Sequence, residues 1–314
     1  MTFLVRRLIV LVSTLVTVSF VVFLIPYLTP GDPARKILRA RVNDPNLDAE
    51  SVARLRTQYG LDRPLLVQYA DWLLHAVTGD LGISYTARSP IPPMIVGAIQ
   101  VTVLLTAAAL IFALAIALPL GSIAAMKRGR PTDTVITTVT QGFVAIPEYW
   151  MAPLLVLAFA VHLRVLPSAG WTGVASMVLP CLTLAMRPIS YFTQVTRASM
   201  ADVLDSPHII GSRARGLSYR QTIWRHGIRN ALIPVVTLFS VWLGGLLGGS
   251  VVVEVIFGIP GMGRLVYDAV LNSDIPVLQA AIMCIVTLTV AISTVTDVVY
   301  TVINPTVRSA NVSS

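Results

Sequence analysis

Long uncharged apolar runs alternate along this chain with short segments where basic residues gather. Six runs approach or exceed the ~20 residues that a helix needs to cross ~30 Å of hydrocarbon. They cover 8–29, 98–126, 134–161, 176–200, 230–253 and 275–300. No charge occurs from Ser89 to Met126, from Asn230 to Val253 or from Ile275 to Thr296. The pattern predicts six transmembrane helices. Prolines inside the runs, at Pro119, Pro147, Pro153, Pro180, Pro188 and Pro234, predict kinks rather than helix ends, because membrane helices tolerate proline. The first run follows Arg6-Arg7 and continues uncharged from Leu8 to Leu28, longer than the ~7–15 residues of a signal-peptide core. With Thr29-Pro30-Gly31-Asp32 after it and no small-x-small site, it is expected to be a retained helix.

Lysine and arginine orient the helices. With the N-terminus inside, the short inner segments hold Arg6, Arg7, Lys127, Arg128, Arg130, Arg197, Arg213, Arg215, Arg220, Arg225, Arg229 and Arg308. The short outer segments hold only Arg164 and Arg264. That asymmetry predicts cytoplasmic termini. Residues 30–97 then form a long outer segment. Asp48 can cap a short helix carrying Val52, Leu55 and Tyr59 on one face and stopping at Gly60. Pro64 opens a second, amphipathic one with Leu65, Leu66, Tyr69, Trp72, Leu73 and Ala76 at helical spacing. This helix suits either the membrane interface or the outer mouth of the membrane helices.

Composition agrees. Of the residues, 55% are apolar and 12% charged, with a mean hydropathy of +0.77. Soluble domains carry roughly 25% charged residues. The net charge of +8 is accounted for by the topology signal, so nucleic acid is not expected as a partner. Cys181 and Cys284 lie in apolar stretches outside any ligand cluster, and His75, His162, His208 and His226 are scattered. The chain has no GxxxxGK[ST], GxSxG or HExxH pattern, so no ATPase, hydrolase or metal site of its own is expected.

The most informative segment lies between the fourth and fifth runs. It reads Thr196-Arg197-Ala198-Ser199-Met200, then Ser206-Pro207-His208-Ile209-Ile210-Gly211-Ser212-Arg213-Ala214-Arg215-Gly216-Leu217-Ser218, then Trp224-Arg225-His226-Gly227-Ile228-Arg229-Asn230-Ala231-Leu232-Ile233-Pro234. Ser206-Pro207 can start a helix, Gly211, Ser212 and Ala214 keep one face slim, and Gly216 can end it in a left-handed cap. Such a helix fits a groove on a cytoplasmic partner. The residues alone fit equally a basic loop that only fixes topology.

In its three pieces this segment resembles the coupling loop of permease subunits of ATP-binding-cassette importers, and in particular of the peptide/nickel permeases. The acidic-Ala-Ala opening of the general loop is replaced here by Ile210-Gly211-Ser212. Gly60-Leu61-Asp62-Arg63-Pro64, Gly79-Asp80-Leu81-Gly82, Leu166-Pro167-Ser168-Ala169-Gly170-Trp171, Val251-Val252-Val253-Glu254 and Pro260-Gly261-Met262-Gly263 resemble other parts of the B-type peptide permease. The resemblance implies an all-α membrane protein of the type I importer permease fold, in a bacterial or archaeal inner membrane. The expected layout is a first helix at 1–29, an extracytoplasmic insertion at 30–97, a permease core at 98–304 with a coupling loop at 201–229, and a tail at 305–314. It implies as partners a second homologous permease subunit, two cytoplasmic ATPase subunits that bind ATP and Mg, and an extracytoplasmic substrate-binding protein. This chain would bind no cofactor itself. The cargo would be a di- or oligopeptide, or alternatively nickel or another small solute. A secondary transporter is the less favoured class, since no internal repeat is found and such a protein does not need the 206–230 loop.

Ser206, Pro207, Ile210, Gly211, Ser212, Arg213, Ala214, Arg215, Gly216 and Leu217 are thus the expected ATPase-coupling residues. Within the third and fourth runs stand Glu148 and Arg187. An ionised side chain at mid-bilayer costs roughly 2.5–3.5 kcal/mol, so such residues face a partner or water. Both lie ~16–20 Å from the outer end of their runs at ~1.5 Å per residue. They are expected either to pair or to bind the charged ends of a peptide in the pathway. Gly244, Gly245, Gly248 and Gly249 form two overlapping GxxxG patterns and predict close helix packing, at a subunit interface or along the pathway.

Overall fold

The computed structural model describes residues 2–28, 32, 35, 49–58, 60, 62–207, 209, 211, 216 and 228–303. It is helical, and among the described residues the only bridge is an isolated antiparallel one between Ile83 and Pro90. The helices are α1 (Thr2–Phe23), α2 (Ile25–Leu28), α3 (Ala49–Gln58), α4 (Leu65–Val77), α5 (Ile91–Met126), α6 (Pro131–Ala145) and α7 (Glu148–Leu155). α7 runs on into a π-helical stretch, Val156–His162. Then come α8 (Val174–Leu204), α9 (Ile228–Gly249), α10 (Val251–Ile256), α11 (Met262–Leu271) and α12 (Ile275–Ile303).

By length and composition α5, α8 and α12 can each cross a membrane; Arg7–Phe23 and Pro234–Gly249 are shorter apolar helices. α6 and α7 share the remaining apolar run. These segments fall at the six predicted runs, but among the described residues only three, or four with the bent pair counted as one, are long and apolar enough to cross a membrane. The third run differs from expectation, being bent by 101° between α6 and α7. Proline has no N–H and biases the residue before it towards extended backbone. Ile146 is extended (φ −90°, ψ 119°), and so is Pro147 (φ −66°, ψ 144°). At Pro119, Pro180, Pro188 and Pro234 the helix continues unbroken.

The chain forms two compact units. The first comprises residues 1–102 and 260–291. Its core joins Ile91, Ile95 and Ala98 of α5 to Met262 and Ala269 of α11 and to Val277 and Ala281 of α12. α11 was not predicted; its N-terminus is held where Met262 N–H donates to Thr102 Oγ1 (2.8 Å). Gln279, buried in α12, donates from Nε2 to the carbonyls of Val22 (3.1 Å) and Phe23 (3.5 Å), serving the otherwise orphaned end of α1.

Of the outer segment, α3 and α4 match the predicted helices; Asp48 and Tyr59 lie outside the described residues. Gly60 adopts φ +62°, as its expected role as a helix stop requires. α4 packs on α1. Tyr69 Oη is 2.7 Å from Ser19 Oγ, and the Tyr69 ring meets Phe20 edge-on at 5.1 Å. Trp72 and Phe23 lie 5.9 Å apart. Leu66, Leu74 and Val77 remain exposed on α4. His75 Nδ1 lies 2.7 Å from the Asp71 carbonyl, and that hydrogen bond raises the histidine pKa above its ordinary value. α1, α4, α5 and α12 line an apolar cavity of about 950 Å³ within this unit, with Phe23, Trp72, Ile99 and Met283 in its wall.

A loop after α4 is tied down by one buried carboxylate. Asp274 accepts from Ser84 Oγ (2.5 Å), Tyr85 N–H (3.2 Å) and Thr86 N–H (3.0 Å). Gly79 and Gly82, at φ +86° and +78°, permit the turns that deliver Ser84 to it.

In the second unit, residues 103–259 and 292–314, α8 is the hub: α6, α7, α9 and α10 all pack against it. Leu179, Leu184, Ala185 and Phe192 are wholly buried on α8. α5 approaches α8 at Gly121, where an added Cβ would lie 2.6 Å from Thr196 Cβ and 2.7 Å from the Thr193 carbonyl. On the other side of α8, Tyr191 packs its ring against Trp242 of α9 at 5.3 Å.

Two substitutions test these contacts. Asp274→Ala should remove about 3 kcal/mol, because three donors lose a charged acceptor. It should also speed amide exchange at residues 84–86. Gly121→Ala should cost about 1–3 kcal/mol, since a backbone carbonyl cannot yield as a flexible side chain would. Thermal melting of the purified protein checks both.

Candidate functional site

The second unit contains all the described residues singled out as candidate sites. α8 carries Arg187, leads into the expected coupling segment and is held at both ends. At its start Ser176 Oγ accepts from the N–H groups of Thr172 (3.1 Å) and Gly173 (3.2 Å) and donates to the Gly173 carbonyl (2.7 Å). At its end Thr196 and Met200 face protein, while Ala198 between them is exposed. Thr196 is buried, and Met200 packs against Ala125 of α5.

Arg197 makes a forked ion pair with Asp133 in the first turn of α6. Nε lies 2.6 Å from Oδ1 and Nη2 lies 2.8 Å from Oδ2. Asp133 is 5% exposed and also accepts from Gly129 N–H (3.0 Å). Gly129 at φ +74° makes the turn that presents that N–H. A second pair, Arg128 with Asp205 at 3.5 Å, is exposed on both sides and contributes little. Sequence reading used Arg197 as a topology marker and as part of the Thr196–Met200 motif, and passed over Asp133. The available signal was an acid at the start of one apolar run and a base at the end of the next, on the same side of the membrane.

From α8 the chain enters the expected coupling segment without a slack linker. Asp205 N–H donates to Ala201 O and Ser206 N–H to Val203 O (3.1 Å each), and Ser206 Oγ bonds Val203 O (2.6 Å). Ile209 N–H then donates to Ser206 O (3.0 Å), and the Ile209 side chain is 1% exposed. Pro207 and Gly211 are exposed, as is Gly216, whose φ of +90° suits the expected left-handed cap. Ile210, Ser212, Arg213, Ala214, Arg215 and Leu217 lie outside the described residues, as do 217–227 as a whole.

Glu148 is the first residue of α7, directly beyond the Ile146–Pro147 break, and is half-buried. Arg187 on α8 is exposed. The arginine acts electrostatically on the carboxylate, yet no ion pair within 4 Å joins them among the described residues. Their expected pairing rested on straight helices crossing at equal depth, and the 101° bend removes that premise. Tyr149 and Trp150, beside Glu148, are both exposed.

Sequence reading quoted Glu254 only within the Val251–Glu254 resemblance and gave it no role; it is 0% exposed in α10 and accepts a hydrogen bond from the buried Ser250 Oγ (2.8 Å). α10 packs against both α7 and α8. Its signal was a lone acid directly after the uncharged fifth run. The glycines expected to pack at a subunit interface or along the pathway are mostly exposed in this chain. Gly244 is buried, but Gly245, Gly248 and Gly249 are exposed. An added Cβ at Gly245 or Gly249 would meet nothing within 4 Å. Among the described residues those two positions make no close helix contact, whereas Gly121 does.

Comparison with known proteins agrees with this architecture. Residues 117–309 match the family described as the binding-protein-dependent transport system inner membrane component, and residues 1–106 match its N-terminal companion. The glutathione transport system permease protein GsiC of Escherichia coli (strain K12) is 38% identical over 306 residues, covering 98% of each chain. The protein of that name from Salmonella choleraesuis (strain SC-B67) is 39% identical over 303 residues, covering 96% of this chain and 97% of the relative. Among solved structures, a chain of the inward-facing MetNI methionine ABC transporter superposes with a TM-score of 0.57 at 18% identity, covering 67% of this chain and 96% of that one. A chain of an amino acid ABC transporter crystallised with histidines gives 0.51 at 16% identity, covering 66% and 93%. These two likenesses show the fold, that of ABC-importer permeases. Matched over nearly its whole length, the chain belongs to the inner membrane components of binding-protein-dependent transport systems.

Proposed function

We propose that this chain is one of two homologous permease subunits of an ATP-driven importer for short peptides, glutathione-like tripeptides among them. The observation that carries this reading is 38% identity over 98% of the chain to permeases named for glutathione transport. An extracytoplasmic binding protein delivers the substrate. Two cytoplasmic ATPase subunits hold ATP and Mg; this chain holds neither and has no ATPase site. Both termini face the cytoplasm. Ser206, Pro207 and the residues to Leu217 dock on an ATPase subunit, and nucleotide-driven movement there shifts the two permease subunits between outward- and inward-open states.

Glu148 and Arg187 support a substrate with charged ends. They carry opposite charges inside membrane runs and do not neutralise each other by contact. A peptide offers an ammonium group and carboxylates, matching a carboxylate and a guanidinium held apart. Binding such ends offsets part of the cost of keeping both ionised groups in the membrane. The exposed face at Gly245, Gly248 and Gly249 suits close approach by the second permease subunit.

The test is uptake of labelled glutathione and of a dipeptide by the assembled complex in proteoliposomes, with its binding protein and ATP. Glu148→Gln and Arg187→Gln should each lower uptake about tenfold or more while leaving assembly intact. Wild-type uptake in both would remove them from the pathway. For the docking segment, Gly211→Cys should form a cross-link to an ATPase subunit and react only with thiol reagents supplied from the cytoplasmic side. Labelling from the outer side would overturn the topology and the docking together.

A further inference from the structure

We infer that the Asp133–Arg197 fork is the link through which movement of the coupling segment reaches the bend at Ile146–Pro147, making Asp133 a positioning residue for transport. The inference rests on the reading of residues 206–217 as the docking segment.

Backbone hydrogen bonds at Asp205, Ser206 and Ile209 tie the start of that segment to α8, so a push delivered there is passed to the end of α8. From there two contacts lead onward. One is the close approach of Gly121 to Thr193 and Thr196, which locks α5 to α8. The other is the fork. Among the described residues it is the only polar side-chain link between α6 and α8. Thr137 and Thr140, the other hydroxyls of α6 with hydrogen bonds, spend them on carbonyls of their own helix.

α6 is built to carry a displacement. It has 15 residues, or ~22 Å at ~1.5 Å per residue. The left-handed Gly129 lies just before it, and the extended pair Ile146–Pro147 lies just after it. A rigid rod between two backbone irregularities can pivot as a unit. Its far end abuts Glu148, Tyr149 and Trp150. The pair is also a poor stability device. A buried ion pair generally stabilises no more than an apolar contact of equal volume would. What a fork adds is fixed distance and fixed orientation, the properties a transmission point needs.

The experiment compares Asp133→Asn and Arg197→Lys with the unaltered protein in the complete complex, measuring glutathione uptake and ATP hydrolysis in the same proteoliposomes. Lysine keeps the charge and loses the fork. Hydrolysis stimulated by the loaded binding protein should stay within about twofold, while uptake per ATP falls about tenfold for Asp133→Asn and less for Arg197→Lys. A purely structural pair would lower the yield of assembled complex and leave uptake per ATP unchanged, which overturns the inference. Failure of both variants to assemble overturns it too, since the pair would then serve folding. The docking reading is judged separately. If Gly211→Cys captures no ATPase subunit, docking fails and takes the relay from residues 206–217 with it, even where uptake per ATP falls. If capture succeeds and the ratio holds, only the link fails.

Discussion

In hydrocarbon no water is present to satisfy a peptide group, so each backbone N–H and C=O must find its partner inside the protein. Much of this structure follows from that constraint. It makes α5 and α12 continuous over 36 and 29 residues and lets α8 keep its course through Pro180 and Pro188. It also explains why a glutamine is buried in α12, where its amide serves the last carbonyls of α1. The departure at Ile146–Pro147 is therefore informative. Irregular backbone within a membrane run is tolerated where protein covers it or where it lines a water-filled path. Glu148 stands at this break, and in transporters such interrupted helices gather around the pathway.

The ionisable groups sort by the same physics. Asp133 is almost wholly buried, and its charge is met by a guanidinium fork and a backbone N–H. Glu254 is wholly buried against the Ser250 hydroxyl, at a place where α10 touches α7 and α8. Glu148 and Arg187 feel each other but do not close to contact. Structural charges are those whose partners lie at hydrogen-bond distance. A pair of opposite charges held apart is better suited to something that enters between or beside them.

The apolar runs could be read because the apolar pattern at membrane length is nearly independent of tertiary context. Pro64 and Gly60 marked local structure correctly because proline and glycine act through their own backbone preferences. What the sequence hid was geometry that only packing decides. Six interior prolines look alike in the sequence, and only Pro147 breaks its helix, beside Glu148, which was expected either to pair with Arg187 or to bind a charged end of the substrate. Gly245 and Gly249 carried the familiar small-residue spacing and meet no neighbour, while the isolated Gly121 sits against a backbone carbonyl at α8. Asp133 and Arg197 are 64 residues apart, and nothing local in either neighbourhood announces the fork.

Apolar contacts alone would serve the cytoplasmic end of α8 poorly as a transmission point. Helices packed through ridges and grooves keep their separation, but the side chains interdigitate at several near-equivalent registers, and small slides and rotations cost little. A push delivered along α8 would then be partly lost at its contact with α6. A forked guanidinium–carboxylate pair resists that loss, because rotating either helix breaks one of two short hydrogen bonds to a carboxylate that is itself buried, although Arg197 is about a third exposed. The same reasoning explains the contrast with Arg128 and Asp205, which lie nearby but in solvent, where a broken contact is replaced by water at little cost. Burial of Asp133 is what turns an ordinary charge pair into a stiff mechanical link, and α6 extends that stiffness as far as the bend beside Glu148.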